Sequence, residues 1–346
     1  MLIAVLTLVT IVAAEFGARV AWPEFEDDDA YLNTLYWRAL NSDTVVSHDH
    51  PNYDPKLGFK HKPNARRVVR TTEFEYEVRT NSLGFRTREL LPVRKLAKRI
   101  VLLGDSMFEG VGTREDERVA NRLTTLSQAD PSGFPIDAYN FAVRGYNTAQ
   151  AFAVLKQYGA EVSPKRVMLG FFVGNDFLPN YVATITAEGE YQISGERVEQ
   201  VKTWLRDAHV GALWHSRIFR VLNLRGYVVR TRYQLSASPA VLERTCGWIA
   251  KVAQQTRALG AELDVVIFYP KHAVKGGFFE WWSNSVTAGK AVAGCVRANG
   301  LGLIDLIEKI SGRDAAKRYY WAADGHLNAA GEHRLAGILF EYLNDN

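Results

Sequence analysis

The chain has 346 residues, of which 47% are hydrophobic and 23% are charged, and its formal net charge is +4. This composition is ordinary for a soluble globular protein, and the length allows one large domain or two. The net charge is small and no basic stripe interleaved with aromatic residues is visible, so we expect no nucleic-acid partner.

The cysteine content excludes a fold held together by many disulfides. The only two cysteines are Cys246 and Cys295, which are too few for a disulfide framework or a cysteine-based metal cluster. Each lies in an apolar helical pattern, where a free buried cysteine is common, and we favour that interpretation. The alternative is that the two cysteines pair, which requires export of the protein. We expect no cofactor and no metal ion.

Residues 1–21 form an apolar segment at the N-terminus. The stretch Met1 to Ala14 is apolar apart from two threonines, and Glu15 ends it. It is shorter than the ~20 residues that span a bilayer, and it fits the apolar region of a signal peptide. No Lys or Arg precedes it, so either the start lies upstream or the segment is the end of a longer anchor. We expect an exported protein, periplasmic or membrane-anchored, with possible membrane association through residues 1–14; the alternative is a buried N-terminal helix of a cytoplasmic protein.

Residues 22–98 are expected to form an accessory segment on the main domain. Thr71 to Val78 alternates between polar and apolar residues, which predicts a strand. Asn81 to Arg86 then reads Asn-Ser-Leu-Gly-Phe-Arg, which is typical of a turn.

From Arg99 onward, short apolar runs alternate with helical patterns, and this region (99–346) is expected to be one domain. Such alternation predicts an α/β fold with a five-stranded parallel sheet and helices on both faces. An insert over about 178–238 follows the third strand, where it would lie over a site at the end of the sheet. The predicted strands are Arg99–Leu103, Ile136–Ala142, Arg166–Val173, Glu262–Tyr269 and Leu301–Leu306. The predicted helices are Glu115–Ser127, Asn147–Gly159, Pro239–Leu259, Ser285–Asn299 and Ala329–Leu343, with a further helical stretch over Val210–Leu224 in the insert.

The first predicted strand runs directly into Gly104-Asp105-Ser106. In open α/β sheets, ligands bind outside the carboxyl ends of the strands, so a reactive hydroxyl at Ser106 would be well placed. The same tripeptide also occurs in ordinary strand-to-helix turns. Asp105 is expected to tie this turn through backbone hydrogen bonds.

The ends of the other strands supply the remaining parts of an acyl-transfer site. The second strand is followed by Gly145, the third by Asn175, and the last by Asp324-Gly325-His326. His326 can take the proton of the Ser106 hydroxyl, and Asp324 can orient the imidazole. The backbone N–H groups of Ser106 and Gly145 and the side-chain amide of Asn175 are the candidate donors to a tetrahedral oxyanion.

These four blocks, in this order, resemble the SGNH hydrolase family, whose members are also called GDSL-type esterases. The resemblance covers Arg99 to the C-terminus apart from the insert. It implies a flavodoxin-like three-layer fold, Ser106 as nucleophile, Gly145 and Asn175 in the oxyanion hole, and His326 as base. Met107 stands where the family name has Leu, and the acid lies two residues before the histidine where many members have three.

The spacing of Asp324 and His326 is similar to that in some polysaccharide acetyl-esterases and acetyltransferases. The stretch Tyr53 to Phe59, with Asn81 to Arg86, also resembles membrane-anchored bacterial members of the family. We therefore expect a carboxylic ester hydrolase that deacylates, and in particular deacetylates, a carbohydrate or another small O-acyl substrate. The alternatives are an O-acyltransferase acting on polysaccharide hydroxyls, a lipase or lysophospholipase, and a non-catalytic carbohydrate-binding protein. The tandem Trp281-Trp282 suggests either a sugar-stacking platform or a packing element.

Overall fold

The computed structural model describes residues 2–23, 27–40, 52–94, 96–130, 134–208, 215–222 and 228–346. Two helices and two small antiparallel sheets precede the main domain. In chain order they are α1 (Leu2–Ala21), α2 (Asp28–Leu40), β1 (Tyr53–Asp54) paired with β2 (Gly58–Phe59), and β3 (Arg66–Arg70) paired with β4 (Glu75–Arg79).

The main domain alternates strands and helices, as the sequence predicts. Its elements up to the end of the insert are β5 (Lys98–Leu103), α3 (Ser106–Glu109), α4 (Val119–Ala129), β6 (Ile136–Asn140), α5 (Thr148–Val162), β7 (Arg166–Phe172), α6 (Phe177–Val182), β8 (Ala183–Ile185), β9 (Tyr191–Ile193), α7 (Gly195–Asp207), α8 (Arg217–Leu222) and α9 (Val228–Ser236). The remaining elements are α10 (Pro239–Ala258), β10 (Glu262–Phe268), α11 (Lys271–Lys275), α12 (Phe278–Ser283), α13 (Ser285–Ala298), β11 (Gly302–Asp305), α14 (Leu306–Lys309), α15 (Arg313–Tyr319) and α16 (Ala329–Asp345).

The central sheet has five parallel strands in the order β6-β5-β7-β10-β11. Numbered along the chain, this is the order 2-1-3-4-5 of a flavodoxin-like sheet. Helix α4 packs on α16, and α5 packs on α10, so that helices flank the sheet. The apolar run of β5 is at most 3% exposed from Ile100 to Leu103, because a parallel strand covered on both faces buries every side chain. The predicted fold class is therefore confirmed.

The hairpin formed by β3 and β4 packs against the chain beyond Ser106. Phe74, Tyr76 and Val78 are buried together with Val111. The strand begins only at Glu75, so the sequence prediction of a strand from Thr71 was wrong at its start. The Thr71 hydroxyl accepts hydrogen bonds from the backbone N–H groups of residues 73 and 74, and this local turn replaces the first part of the strand.

The insert after β7 is built from short elements that contact the N-terminal helices. Helices α7 and α9 both contact α2, and α8 contacts α1. The helical stretch predicted over Val210–Leu224 lies partly outside the described residues, and its described part contains α8. Helix α9 also contacts α12 and α13, which brings the insert to the mouth of the sheet.

Helix α1 continues through Glu15, where the sequence analysis placed the end of the apolar run. The Glu15 carboxylate accepts hydrogen bonds from the Ser216 hydroxyl (2.9 Å) and from the backbone N–H groups of Arg217 (2.7 Å) and Ile218 (3.2 Å). The two backbone N–H groups belong to the first turn of α8 and have no partner within that helix, so a carboxylate is a suitable cap there. Within the described part of the chain, no helix has both the length and the apolar character needed to cross a membrane.

A disulfide joins Cys246 of α10 to Cys295 of α13. Our preference for two free buried cysteines was therefore wrong. Both side chains are half-buried, and they face each other where α10 and α13 contact, which the helical pattern of each segment alone does not reveal.

Candidate active site

The candidate nucleophile lies at the carboxyl end of the central strand β5. Gly104 has φ +143°, and a Cβ added there would come within 2.8 Å of the Gly170 carbonyl oxygen on the neighbouring strand. The sharp turn at this point therefore requires glycine. Asp105 then caps α3 by accepting a hydrogen bond from the Met107 N–H at 2.9 Å. The turn leaves Ser106 as the first residue of α3, only 5% exposed but lining a cavity.

The structure brings Ser106, His326 and Asp324 into one hydrogen-bonded chain. His326 Nε2 lies 2.8 Å from Ser106 Oγ, and His326 Nδ1 lies 2.5 Å from Asp324 Oδ1. The hydrogen bond with His326, opposed by partial burial, holds the pKa of Asp324 below its usual range. Because the ionised carboxylate can only accept, Nδ1 carries the proton and Nε2 is free to accept from the Ser106 hydroxyl. This is the arrangement that activates a serine.

The candidate oxyanion donors line the same cavity as Ser106. Gly145, which has φ +83°, and Asn175 both contribute to its wall. In the part of the chain that the structure describes, neither the Ser106 N–H nor the Gly145 N–H donates to another protein atom. These two backbone amides are therefore available to a group that enters the cavity, whose volume is about 710 Å³. The Asn175 side chain lines the same cavity and also forms a hydrogen bond with Asp105.

Comparisons with known proteins give matches among solved structures alone: the chain matches no protein-family model and no curated protein. An acetylxylan esterase from Geobacillus stearothermophilus is 13% identical, with 72% of this chain and 95% of that chain covered and a TM-score of 0.43. A GDSL-like lipase from Bacteroides thetaiotaomicron is 11% identical, with coverages of 73% and 91% and a TM-score of 0.41. A psychrotrophic esterase from Pseudoalteromonas is 12% identical, with coverages of 71% and 99% and a TM-score of 0.38.

The sheet order and the position of the four blocks at its carboxyl edge are those that the family resemblance implies. The chain has a flavodoxin-like α/β fold. Fold alone does not fix an activity, so the chemistry of this protein must follow from its own residues.

The loop that carries Asp324 and His326 is held from the N-terminal hairpin. The Glu73 carboxylate accepts hydrogen bonds from the backbone N–H groups of Ala323 (2.8 Å) and Asp324 (2.6 Å). On its other side, the Lys271 ammonium donates to the carbonyl oxygens of residues 321 and 322, each at 2.6 Å. Sequence patterns predict neither contact, because Glu73 lies 250 residues and Lys271 50 residues before its partner in the loop.

A second carboxylate fixes the Gly145 loop. Glu109, at the end of α3, accepts from the Arg144 backbone N–H at 2.5 Å, and its other oxygen lies 2.9 Å from His61 Nε2. Burial opposes ionisation of Glu109, but the hydrogen bond and charge of His61, with the nearby Arg86, lower its pKa to about 2. The helix that begins with the nucleophile therefore ends with a residue that positions a candidate oxyanion donor.

Two buried carboxyl groups lie behind the site. Burial raises the pKa of Asp105 to about 6, against the hydrogen bond from Met107. Burial also raises the pKa of Asp176 well above its usual range, and the charge of Asp105 raises it further. Asp176 accepts a hydrogen bond from the Phe172 backbone N–H at 2.8 Å. The raised pKa favours the neutral form of Asp176, and a neutral carboxyl group opposes the formation of an oxyanion in the cavity less than a carboxylate would.

The tandem tryptophans lie beside this site without lining it. Trp281 is 76% exposed and contacts Phe278, also exposed, with ring centroids 5.7 Å apart. Neither tryptophan is part of the cavity wall. His272, by contrast, does line the cavity, and its Nε2 lies 3.2 Å from the Ser283 hydroxyl oxygen.

Proposed function

We propose that the chain is a serine-dependent carboxylic ester hydrolase that removes an acyl group, in particular acetyl, from a carbohydrate or another small O-acyl substrate. The observation that carries this proposal is the unbroken Ser106–His326–Asp324 hydrogen-bond chain, which opens into a cavity also lined by Gly145 and Asn175. The nucleophile, the base, the orienting acid and the oxyanion donors of acyl transfer are thus all present in one cavity.

The first half of the reaction forms an acyl-enzyme. Ser106 Oγ attacks the ester carbonyl carbon while its proton passes to His326 Nε2, and the carbonyl oxygen becomes an oxyanion that the Ser106 and Gly145 N–H groups and the Asn175 amide stabilise. As the carbon–oxygen bond of the ester breaks, His326 returns the proton to the departing alcohol. Asp324 stabilises the imidazolium between these two steps.

The second half regenerates the enzyme. A water molecule gives a proton to His326 Nε2 as its oxygen attacks the acyl carbon, and the second tetrahedral intermediate uses the same oxyanion donors. The bond to Ser106 then breaks, the serine recovers its proton from His326, and the free acid leaves. An acyltransferase would replace this water with a sugar hydroxyl.

A fluorophosphonate probe tests the proposal, because it reacts with activated serines. We expect labelling at Ser106 that is lost in Ser106→Ala and falls sharply in His326→Ala. Incubation with p-nitrophenyl acetate, with and without oligosaccharides, then separates the outcomes. Release of acetate to water supports the hydrolase, acetylated sugar would make it a transferase, and a preference for long acyl chains would make it a lipase. A folded protein that neither labels nor turns over any ester would refute the proposal.

We also propose that the protein is exported, with the apolar N-terminal segment directing it. Support comes from the exposed apolar side chains of α1, which include Leu6, Val9 and Val12, and from the Cys246–Cys295 disulfide, since disulfides persist in oxidising compartments. Cleavage after Ala14 would leave Glu15, whose carboxylate caps α8, in the mature chain. A protease-protection assay on intact spheroplasts tests this, and full-length protein confined to the cytosol would refute it.

A further inference from the structure

The cavity that holds Ser106 has an unbalanced charge. Four cationic side chains line it: Arg144, Arg232, Lys271 and Lys275. Among the described residues of its wall, Asp324 is the one carboxylate, and that carboxylate is hydrogen-bonded to His326. The wall of this cavity therefore carries more cationic side chains than carboxylates.

Arg232, on α9 of the insert, is the most unusual of these cations. It is only 8% exposed, yet no carboxylate of the described chain pairs with it. One guanidinium nitrogen, Nη2, donates to the Tyr233 hydroxyl at 3.2 Å, and the group lies 4.8 Å from the centre of that ring. Its Nε is buried without an acceptor in the described structure. A buried charge is costly unless it is paired, so this guanidinium is poised to bind an anion.

Lys275 adds a second charge on the same wall, at the end of α11. It is exposed, and within the described structure it has no ion pair or hydrogen bond. The neighbouring His272 adds no charge at neutral pH, because burial and the nearby Arg232 lower its pKa to about 4. Lys271 is committed to the loop carbonyls described above. Arg232 and Lys275 are therefore the two cations of the wall that are best suited to contact a ligand.

We propose that the natural substrate is anionic, an O-acylated saccharide whose sugar carries a carboxylate, and that Arg232 and Lys275 bind this carboxylate while Ser106 attacks the ester. This proposal rests on the esterase function proposed above and names the substrate class of that site. Arginine suits the role because its planar fork can donate two parallel hydrogen bonds to one carboxylate.

Matched esters of one sugar test the proposal. We would compare kcat/KM for an O-acetyl methyl glucoside, the corresponding O-acetyl glucuronide and the corresponding O-acetyl glucoside 6-phosphate, which differ only at carbon 6. We expect the glucuronide to be preferred over the glucoside by about tenfold or more, since hydrogen bonds to a charged group contribute that much. Equal rates for these two would overturn the proposal. A tenfold preference for the phosphate over the glucuronide would overturn its assignment to a carboxylate.

Variants assign the preference to the named residues. We expect Arg232→Gln and Lys275→Gln each to lower the glucuronide-to-glucoside ratio by about tenfold. Lys275→Gln keeps the test valid if Arg232→Gln fails to fold. The Lys275 side chain is exposed, so its replacement leaves no buried group unpaired. Arg230→Gln, on the same helix but exposed and outside the cavity wall, should leave the ratio unchanged. A ratio unaltered in both cavity variants would overturn the proposal.

A binding measurement separates this inference from the esterase function. Calorimetry with Ser106→Ala should detect glucuronate but not glucose, and added salt should weaken the binding. If p-nitrophenyl acetate is not hydrolysed but glucuronate still binds, the esterase function fails and the anion site stands. If the acetate ester is hydrolysed and glucuronate does not bind, the anion site fails and the esterase function stands.

Discussion

Replacing Glu73 should lower kcat/KM, although Glu73 contacts neither Ser106 nor the His326 side chain. It acts by holding the loop that carries Asp324 and His326. Its carboxylate accepts the backbone N–H groups of Ala323 and Asp324 at 2.8 and 2.6 Å. Because solvent reaches this half-buried carboxylate, we take about 1 kcal/mol for each bond, or about 2 kcal/mol together. If that energy keeps the loop closed, Glu73→Ala lowers kcat/KM by up to about 30-fold.

A second substitution at position 73 and a control on the same hairpin test the size of this effect. Glu73→Gln retains one acceptor oxygen, so it should lose about half of the energy and lower kcat/KM by about fivefold. The matched control is Glu75→Ala on the same hairpin, since Glu75 is exposed and pairs with Arg70 instead of the loop. We expect this control to behave as the wild type.

The separate values of kcat and KM on p-nitrophenyl acetate distinguish positioning from general damage to the fold. When Asp324 is no longer held against His326, the imidazolium that forms in the transition state is less stabilised, so Glu73→Ala should lower kcat and leave KM nearly unchanged. Thermal unfolding measured alongside shows that the variant is folded. A folded Glu73→Ala whose kcat lies within twofold of the wild-type value would refute the reasoning.

Three further predictions concern the oxyanion hole, a buried acid and the disulfide. Asn175→Ala should lower kcat by roughly 100- to 1,000-fold on a short-chain ester with the circular dichroism spectrum unchanged, and near-normal turnover would reduce Asn175 to a turn residue. Burial raises the pKa of Glu332 to about 7 in the folded protein, so its stabilising contribution is complete below pH 4 and is lost as the pH rises toward 7. Glu332→Gln, which can still accept the Val119 N–H, should therefore raise the melting temperature at pH 8 and not at pH 4; a rise at both would contradict this sign. Cys246 and Cys295 should react with a thiol reagent only after reduction, and reaction in the untreated, denatured protein would contradict the disulfide.

The sequence predicts the central sheet, and the position of Ser106 at the carboxyl end of β5, because both features depend on local sequence. The run Ile100 to Leu103 is apolar at every position, and each block that follows a strand stands within a few residues of it. The spacing of Asp324 and His326 likewise places the acid and the base together in a short segment. The alternation of apolar strands with helical patterns, together with the turn residues between them, is enough to predict such features.

The contacts that support the site have no such local signature. Glu73 lies in a hairpin, and nothing near it indicates that it holds a loop 250 residues away. Glu109 ends a four-residue helix, and its partner His61 comes from the accessory segment. The pairing of Cys246 with Cys295 depends on how α10 and α13 pack, and the excess charge around Arg232 appears only when the insert closes over the sheet. These are properties of tertiary packing, which periodicity does not encode.

The separation of Ser106 from its base along the chain has a consequence for biosynthesis. The nucleophile precedes His326 by 220 residues, and the loop that carries the base is clamped from a still earlier hairpin. During synthesis, Ser106 therefore remains an ordinary hydroxyl without its hydrogen bond to His326 until all the elements before α16 have been made. Under the proposed function, a fragment that ends before His326 lacks the base and cannot activate Ser106.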